Sequence, residues 1–196
     1  ESSADSPTRD PNVSFEFRTQ LPRGSRLVAD HATDRAEARS FLPSSATSAQ
    51  AYVAQARSVA ARFDSVSAPP WLNGVRAYGA RARARLDAVR EGRGFVVTTG
   101  QQPGLFAGPL YSLYKAISAA CLADALEPIV GRPVAPVFWT ASEDHDWQEV
   151  NHTQWIDVAN QLHDLALPDG AGTGALPLHR LPMGPGIEAV LDRVAQ

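Results

Sequence analysis

Cysteine is nearly absent from this chain of 196 residues, and so are lysine and methionine. The single cysteine, Cys121, rules out an intramolecular disulfide and fits a reducing compartment, so a cytoplasmic location is expected. No apolar run reaches the roughly 18 residues that a membrane-spanning helix needs, so no membrane partner is expected. No leader pattern is visible. The net charge is only −3, with both signs interspersed. No basic patch calls for a nucleic acid, and Arg83, Arg85 and Arg90 read as one solvated helix face. There is no internal repeat. Lysine occurs once, at Lys115, and every other basic residue is arginine. A habit of writing Arg for Lys that breaks once points to a position that needs a compact ammonium rather than a guanidinium fork.

Residues 1–14 are polar and rich in Pro and Ser, and read as a loose arm. Residues 15–45 read as irregular, with Pro22, Gly24 and Pro43 as breakers. An Ala-rich pattern from Ser48 to Phe63 predicts a helix. A second helix is predicted from Pro70 to Arg90, ended by Gly92 and Gly94. "GFVVTTG" then predicts a buried strand over Phe95–Thr98. A helix follows from Pro109 to Ala125, with Pro109 suited to its first turn. Val134–Thr140 is apolar almost throughout, as in a parallel strand covered on both faces. Strand, helix and strand in this order make a βαβ unit. "HTQWIDV" reads as a third strand, "GALPLHRLP" as a fourth, and Gly186 to Ala195 as a helix. The expected class is α/β: a parallel sheet with flanking helices over 92–196, preceded over 1–91 by an arm and helices that pack on the core. The chain opens on Glu1 and stops in a helical stretch, so it reads as a portion of something longer.

Two polar stretches carry the chemistry. "TTGQQPGLFAGP" leaves the carboxyl end of the first strand and enters a helix, where open α/β sheets bind ligands and a helix N-terminus favours an anion. Its spacing, Gly100-x3-Gly104-x3-Gly108, fits neither G-x-G-x-x-G nor G-x4-G-K-[ST]. A glycine turn without a ligand is the alternative. Gln101, Gln102 and the Gly104–Gly108 backbone are candidates to hold polar or anionic parts of a substrate. Tyr111 and Lys115, four apart, share a helix face from which Lys115 can reach back towards an anion. The alternative is a surface lysine lying along the helix.

"SEDHDWQEVNH", residues 142–152, leaves the second strand at the same sheet edge. Glu143, Asp144 and Asp146 crowd around His145, followed by Glu149, Asn151 and His152. Such crowding lifts the titration of at least one carboxylate above its usual range and makes acid/base groups that work near neutral pH. On a helix, His145, Glu149 and His152 would share one face and resemble a metal site. The stretch is not H-E-x-x-H, and no Cys or further His has matching spacing. A solvated acidic cap and a substrate or acid/base site are the other readings. Because both stretches follow consecutive parallel strands, their tips are expected to converge on one crevice. Cys121 and Trp139 read as core. Trp71, Trp147 and Trp155 are ambiguous, and His31, His163 and His179 belong to no constellation.

Taken together, "TGQQPGLFAGPLYSLYKAISAACLA" and "PVFWTASEDHDWQEVNH" closely resemble the bacillithiol biosynthesis cysteine-adding enzymes, the BshC family. Its members carry G-Q-Q-x-G-L-x-x-G-P-L-Y-x-x-x-K-A and then P-V-F-W-x-x-x-E-D-H-D-x-x-E-V/I-N-H. The match is strong over 94–157. Over the first 90 residues only "FLPSSA" and the helices after it fit the same layout. Trp147 stands where Phe is common. The resemblance implies a Rossmann-like core similar to class I nucleotidyl-transferring enzymes, and a ligase that joins cysteine to the amino group of glucosaminyl-malate. It implies a homodimer for the full-length protein, with a C-terminal helical coiled coil beyond this stretch. ATP, with Mg accompanying it, is implied by the fold, although Gln101-Gln102-Pro103-Gly104 replaces the H-x-G-H nucleotide signature. No metal is expected in the protein's own site. In this reading His145, or a carboxylate beside it, is the acid/base, with Asp144 or Asp146 orienting the imidazole. Gln101, Gln102, Gly104, Gly108, Tyr111, Lys115, Glu143, Asn151 and His152 bind the substrates. A non-catalytic aminosugar- or nucleotide-binding domain, and a metal-dependent hydrolase built on His145, Glu149 and His152, are the competing readings.

Overall fold

A computed structural model describes residues 25–42, 48–63, 70–170 and 174–194. The arm expected over 1–14 lies outside them. Contacts divide the chain into two units, residues 1–54 and 55–196, with the division falling inside a helix.

In the first unit, helix α1 (Arg26–Ala32) is capped by Ser25, whose Oγ accepts from the Val28 N–H at 3.3 Å. A one-turn helix, α2 (Ala36–Arg39), follows a left-handed Asp34. Arg39 donates to Asp34 Oδ2 at 2.6 Å and closes this turn. The two helices occupy part of the stretch read as irregular. Their local caps and ion pairs outweigh a sequence poor in apolar periodicity. Helix α3 (Ala49–Phe63) forms where predicted, with the Ser48 hydroxyl accepting from the Ala51 N–H at 3.2 Å.

The second unit departs from the predicted Pro70–Arg90 helix. A 3₁₀ turn covers Pro70–Gly74, an extended link follows, and helix α4 runs only over Ala80–Arg90. The reason is Gly79, which enters α4 at φ 84°, a conformation open to glycine and closed to a helix interior. The predicted solvated arginine face is also corrected. Arg83 is exposed, but Arg85 is only 6% exposed and Arg90 is half-buried. Arg90 donates to the Leu72 carbonyl at 3.1 Å and ties the 3₁₀ turn to the end of α4.

Strands β1 (Phe95–Gln101) and β2 (Val134–Thr140) pair in parallel, from Phe95 opposite Val134 to Gln101 opposite Thr140. Helix α5 (Leu110–Val130) connects them and packs on both, and α4 packs on β2. Gly100 is required in β1, because a Cβ there would lie 2.6 Å from the Trp139 carbonyl oxygen. The strands are less covered than expected. Val96 is exposed, β2 is buried only in its first half, and Trp139 is 57% exposed instead of core. Cys121 is likewise exposed. The buried stripe of α5 is Ser112, Ala119, Ala123 and Leu126. At about 100° per residue, Cys121 stands on the other side of the helix from Ala119.

A one-turn helix, α6 (Trp147–Val150), leads into β3 (His152–Ile156), which pairs antiparallel with β4 (Leu162–Ala166). The fourth strand is therefore not "GALPLHRLP". Leu178–Arg180 in that stretch is a 3₁₀ turn, with Pro177 at its start. The hairpin forms because Asp157 Oδ1 accepts from the N–H groups of Ala159 and Gln161, both at 2.8 Å, while Asn160 takes the left-handed turn position. Helix α7 (Gly186–Val194) closes the unit. Leu105, Leu165, Leu167 and Val190 form its buried cluster, with Trp147, Trp155 and Ile187 against it. One residue of the glycine loop, Leu105, is thereby anchored among the hairpin and α7.

Among the described residues no helix is long and apolar enough to cross a membrane.

Candidate functional site

The two polar stretches meet at the carboxyl edge of β1 and β2. The Ala141 N–H donates to the Gln101 carbonyl at 3.0 Å and carries the parallel pairing one step past the strands. Above it a line of side chains is joined by hydrogen bonds. The Lys115 ammonium donates to the Gly100 carbonyl at 3.3 Å and to Gln101 Oε1 at 2.8 Å. Gln101 Nε2 donates to Gln102 Oε1. Gln102 Nε2 donates to Glu149 Oε2 at 3.1 Å and to Asp144 Oδ2 at 3.4 Å. Tyr111 supports Lys115 from one turn earlier in α5, with the ammonium 5.2 Å from its ring centre. An ammonium at one end and two carboxylates at the other are thus bridged by two amides.

The glycine loop holds this line in place by a sharp turn. Phe106, Ala107 and Gly108 all have left-handed backbones, with φ of 50°, 72° and 71°. A Cβ on Gly104 would lie 2.6 Å from the Gly108 Cα, so this glycine pair is a close backbone crossing. The loop then delivers α5 without a side-chain cap at Pro109. Ser112 Oγ lies buried at this helix entry and has no hydrogen-bond partner among the described residues. It stands 3.7 Å from where a Cβ on Gly108 would be.

The acidic stretch is a capped turn rather than a continuous helix. Asp144 Oδ1 accepts from the N–H groups of His145 at 2.7 Å and Asp146 at 3.2 Å. Asp146 Oδ1 accepts from the Glu149 N–H at 3.2 Å and caps α6. The backbone N–H groups of Asp146 and His145, with Gln102 and the nearby His145 ring, hold the Asp144 carboxyl below its usual range. That is opposite to the rise expected from crowding, because turn N–H groups favour the ionised form. The His145 side chain is 74% exposed, with Nδ1 3.8 Å from Asp144 Oδ1. Asp144, His145, Asp146, Trp147, Gln148 and Gly174 line an adjacent cavity of about 490 Å³.

Other candidates point elsewhere. Because α6 is a single turn and His152 begins β3, His145, Glu149 and His152 do not form the helical face considered for a metal. Among the described residues no group of three or more His, Cys, Asp or Glu side chains is gathered for one. Asn151 is buried and donates to the Leu167 carbonyl at 3.2 Å, while its Oδ1 faces His152 Nδ1 at 3.1 Å. Glu143 is exposed. Three residues at this edge lacked any such reading in the sequence. The sequence marks Glu149 only as a follower of the His145 cluster and a metal candidate, Ser112 not at all, and His179 as part of no constellation. His179 Nδ1 lies 3.0 Å from the Ser142 carbonyl, across 37 residues of chain. No spacing within one segment signals a contact of that span.

Comparison with known proteins agrees with the fold. The sequence model described as bacillithiol biosynthesis BshC, N-terminal Rossmann-like domain, matches residues 15–196. A Salinibacter ruber protein named "Putative cysteine ligase BshC" is 34% identical over 172 residues, covering 86% of this chain and 31% of that protein. A Solibacter usitatus protein of the same name is 33% identical over 194 residues, covering 91% of this chain and 36% of its own. In Heliobacterium modesticaldum the identity rises to 48%, over 85 residues that cover 43% of this chain and 16% of the relative. The chain thus spans about a third of the length of the first two relatives. It belongs to the BshC family, as its N-terminal Rossmann-like domain.

Proposed function

We propose that this domain carries the substrate crevice of a ligase that joins cysteine to the amino group of glucosaminyl-malate. The observation that supports the reading is the line from Lys115 through Gln101 and Gln102 to Asp144 and Glu149. An amino-acid zwitterion carries the matching charges. Its carboxylate suits the compact ammonium of Lys115, and its ammonium suits the carboxylates of Asp144 and Glu149. The two glutamine amides, each both donor and acceptor, occupy that line in the free protein and yield it to the substrate.

Amide formation needs an uncharged amine. The exposed imidazole of His145 is placed to take the proton of the attacking amine, with Asp144 at its Nδ1 side. ATP, with Mg bound to it, is proposed to supply the activation of the cysteine carboxyl. The chain has groups that would fit its phosphates: the N-terminus of α5, which has no side-chain cap, and the nearby Ser112 hydroxyl, which has no partner among the described residues. The proposal includes a homodimer of the full-length protein, which sedimentation tests.

The deciding experiment is mass spectrometry of the full-length protein incubated with cysteine and glucosaminyl-malate, with and without ATP and Mg. A product at the bacillithiol mass only with ATP supports the whole reading. Product without ATP removes the nucleotide from it. A folded protein that makes none in either mixture overturns the ligase reading and favours a binding domain.

A further inference from the structure

We infer that His179 is a positioning residue that holds the loop carrying Asp144 and His145 against the carboxyl edge of the sheet. Three hydrogen bonds converge there from the 3₁₀ turn at Leu178–Arg180. The His179 N–H and its Nδ1 both reach the Ser142 carbonyl, each at 3.0 Å. The Leu178 N–H donates to the Asp144 carbonyl at 2.7 Å. A carbonyl oxygen only accepts, so Nδ1 carries the proton in this contact. The clamp therefore survives whether the ring is neutral or charged, since both forms can donate from Nδ1.

Its target is the point where the loop leaves the sheet. The Ser142 N–H donates back to the Thr140 carbonyl at 2.8 Å, and Ala141 is tied to Gln101. Ser142 is thus held on both sides, from β2 and from the 3₁₀ turn. Two residues later Asp144 starts the turn that displays His145 and accepts from Gln102. Without the Nδ1 donor, the Ser142 carbonyl keeps one donor among the described residues, the His179 backbone N–H, and the turn beyond it can shift. Small displacements of reacting groups carry large rate penalties.

The kinetic part of the test rests on the ligase reading; the structural part does not. In the full-length protein, wild type, His179→Ala and His179→Asn are compared for kcat, for KM of both substrates, and for hydrogen–deuterium exchange of peptides covering 142–148. Asn offers an amide donor at nearly the reach of Nδ1. The expected result for His179→Ala is a kcat lower by about tenfold or more, KM values within about twofold, and faster exchange over 142–148. His179→Asn is expected to restore both. Unchanged exchange in the Ala variant overturns the inference. So does faster exchange with a wild-type kcat, or an Asn variant no better than Ala. If the wild type makes no product, the ligase reading fails separately and exchange decides: acceleration in Ala but not in Asn upholds the clamp.

Discussion

Lys115 shows why this chain keeps one lysine. Its ammonium donates to two acceptors at once, the Gly100 carbonyl and Gln101 Oε1. A compact group with three rotatable donors serves both, and a longer planar guanidinium on the same helix position would have to displace one of these partners. Lys115→Arg is expected to lower kcat/KM of the full-length enzyme at least tenfold, about 1.4 kcal/mol of transition-state stabilisation. Steady-state kinetics checks this; a wild-type value removes Lys115 from the site. Asp144 is a second residue with a directional consequence. Its carboxyl is held below its usual range by the turn N–H groups. A group depressed on folding stabilises the native state above its unfolded pKa, near 4, and loses that contribution as pH falls through the folded value. Asp144→Asn is therefore expected to be less stable than wild type at neutral pH, with the gap narrowing below about pH 4. Denaturant midpoints measured across that range test the sign.

At the scale of elements, α4 and α5 are joined by charge. Arg85 donates to Asp124 Oδ1 at 2.7 Å and to Glu127, and Arg81 lies 3.0 Å from Asp124. The Arg85 guanidinium is buried while both partners keep solvent contact, and its hydrogen bonds to Glu127 and Asp124 hold both carboxyls below their usual range against the opposing pull of burial. Removing one partner strands the other. Arg85→Ala is expected to cost about 1–3 kcal/mol, and Arg85→Ala combined with Glu127→Gln less than the sum of the two. Chemical denaturation of the four proteins of that cycle measures it. The pair also explains why sequence reading failed here. Arginines repeated along a helix look solvated until an acidic face of another helix arrives, and Asp124 and Glu127 lie about 40 residues away along the chain. Cys121 and Trp139 misled for the mirror reason. Each lies in an apolar run, but nothing among the described residues covers that side of α5 or the outer half of β2.

At the scale of the whole second unit, the crevice depends on a core some distance from its chemistry. Leu105 is buried beside Leu165, Leu167 and Val190, so one side of the glycine loop is pinned by the hairpin and α7. The left-handed run from Phe106 to Gly108 follows directly from that anchor. Leu105→Ala is expected to destabilise the unit by about 2–4 kcal/mol and to raise KM together with lowering kcat, because the loop loses its fixed turn. Thermal melts and kinetics at a temperature where the variant is folded separate the two effects.

The sequence by itself determined what local chemistry can determine. β2 occupies the predicted residues, β1 and α5 run somewhat beyond theirs, and Gly100, Gly104 and Gly108 sit where the backbone must pass close. Parallel order around one helix was enough to bring Gln102 and Asp144 to one edge, since both leave the same ends of adjacent strands. Tertiary structure alone decided the rest: that Arg85 is buried, that β4 is 162–166, that Asn151 turns inward, and that His179 reaches Ser142. Burial and hydrogen bonding belong to pairs of groups. The spacing of residues within one element specifies which face they share, but not what lies opposite that face.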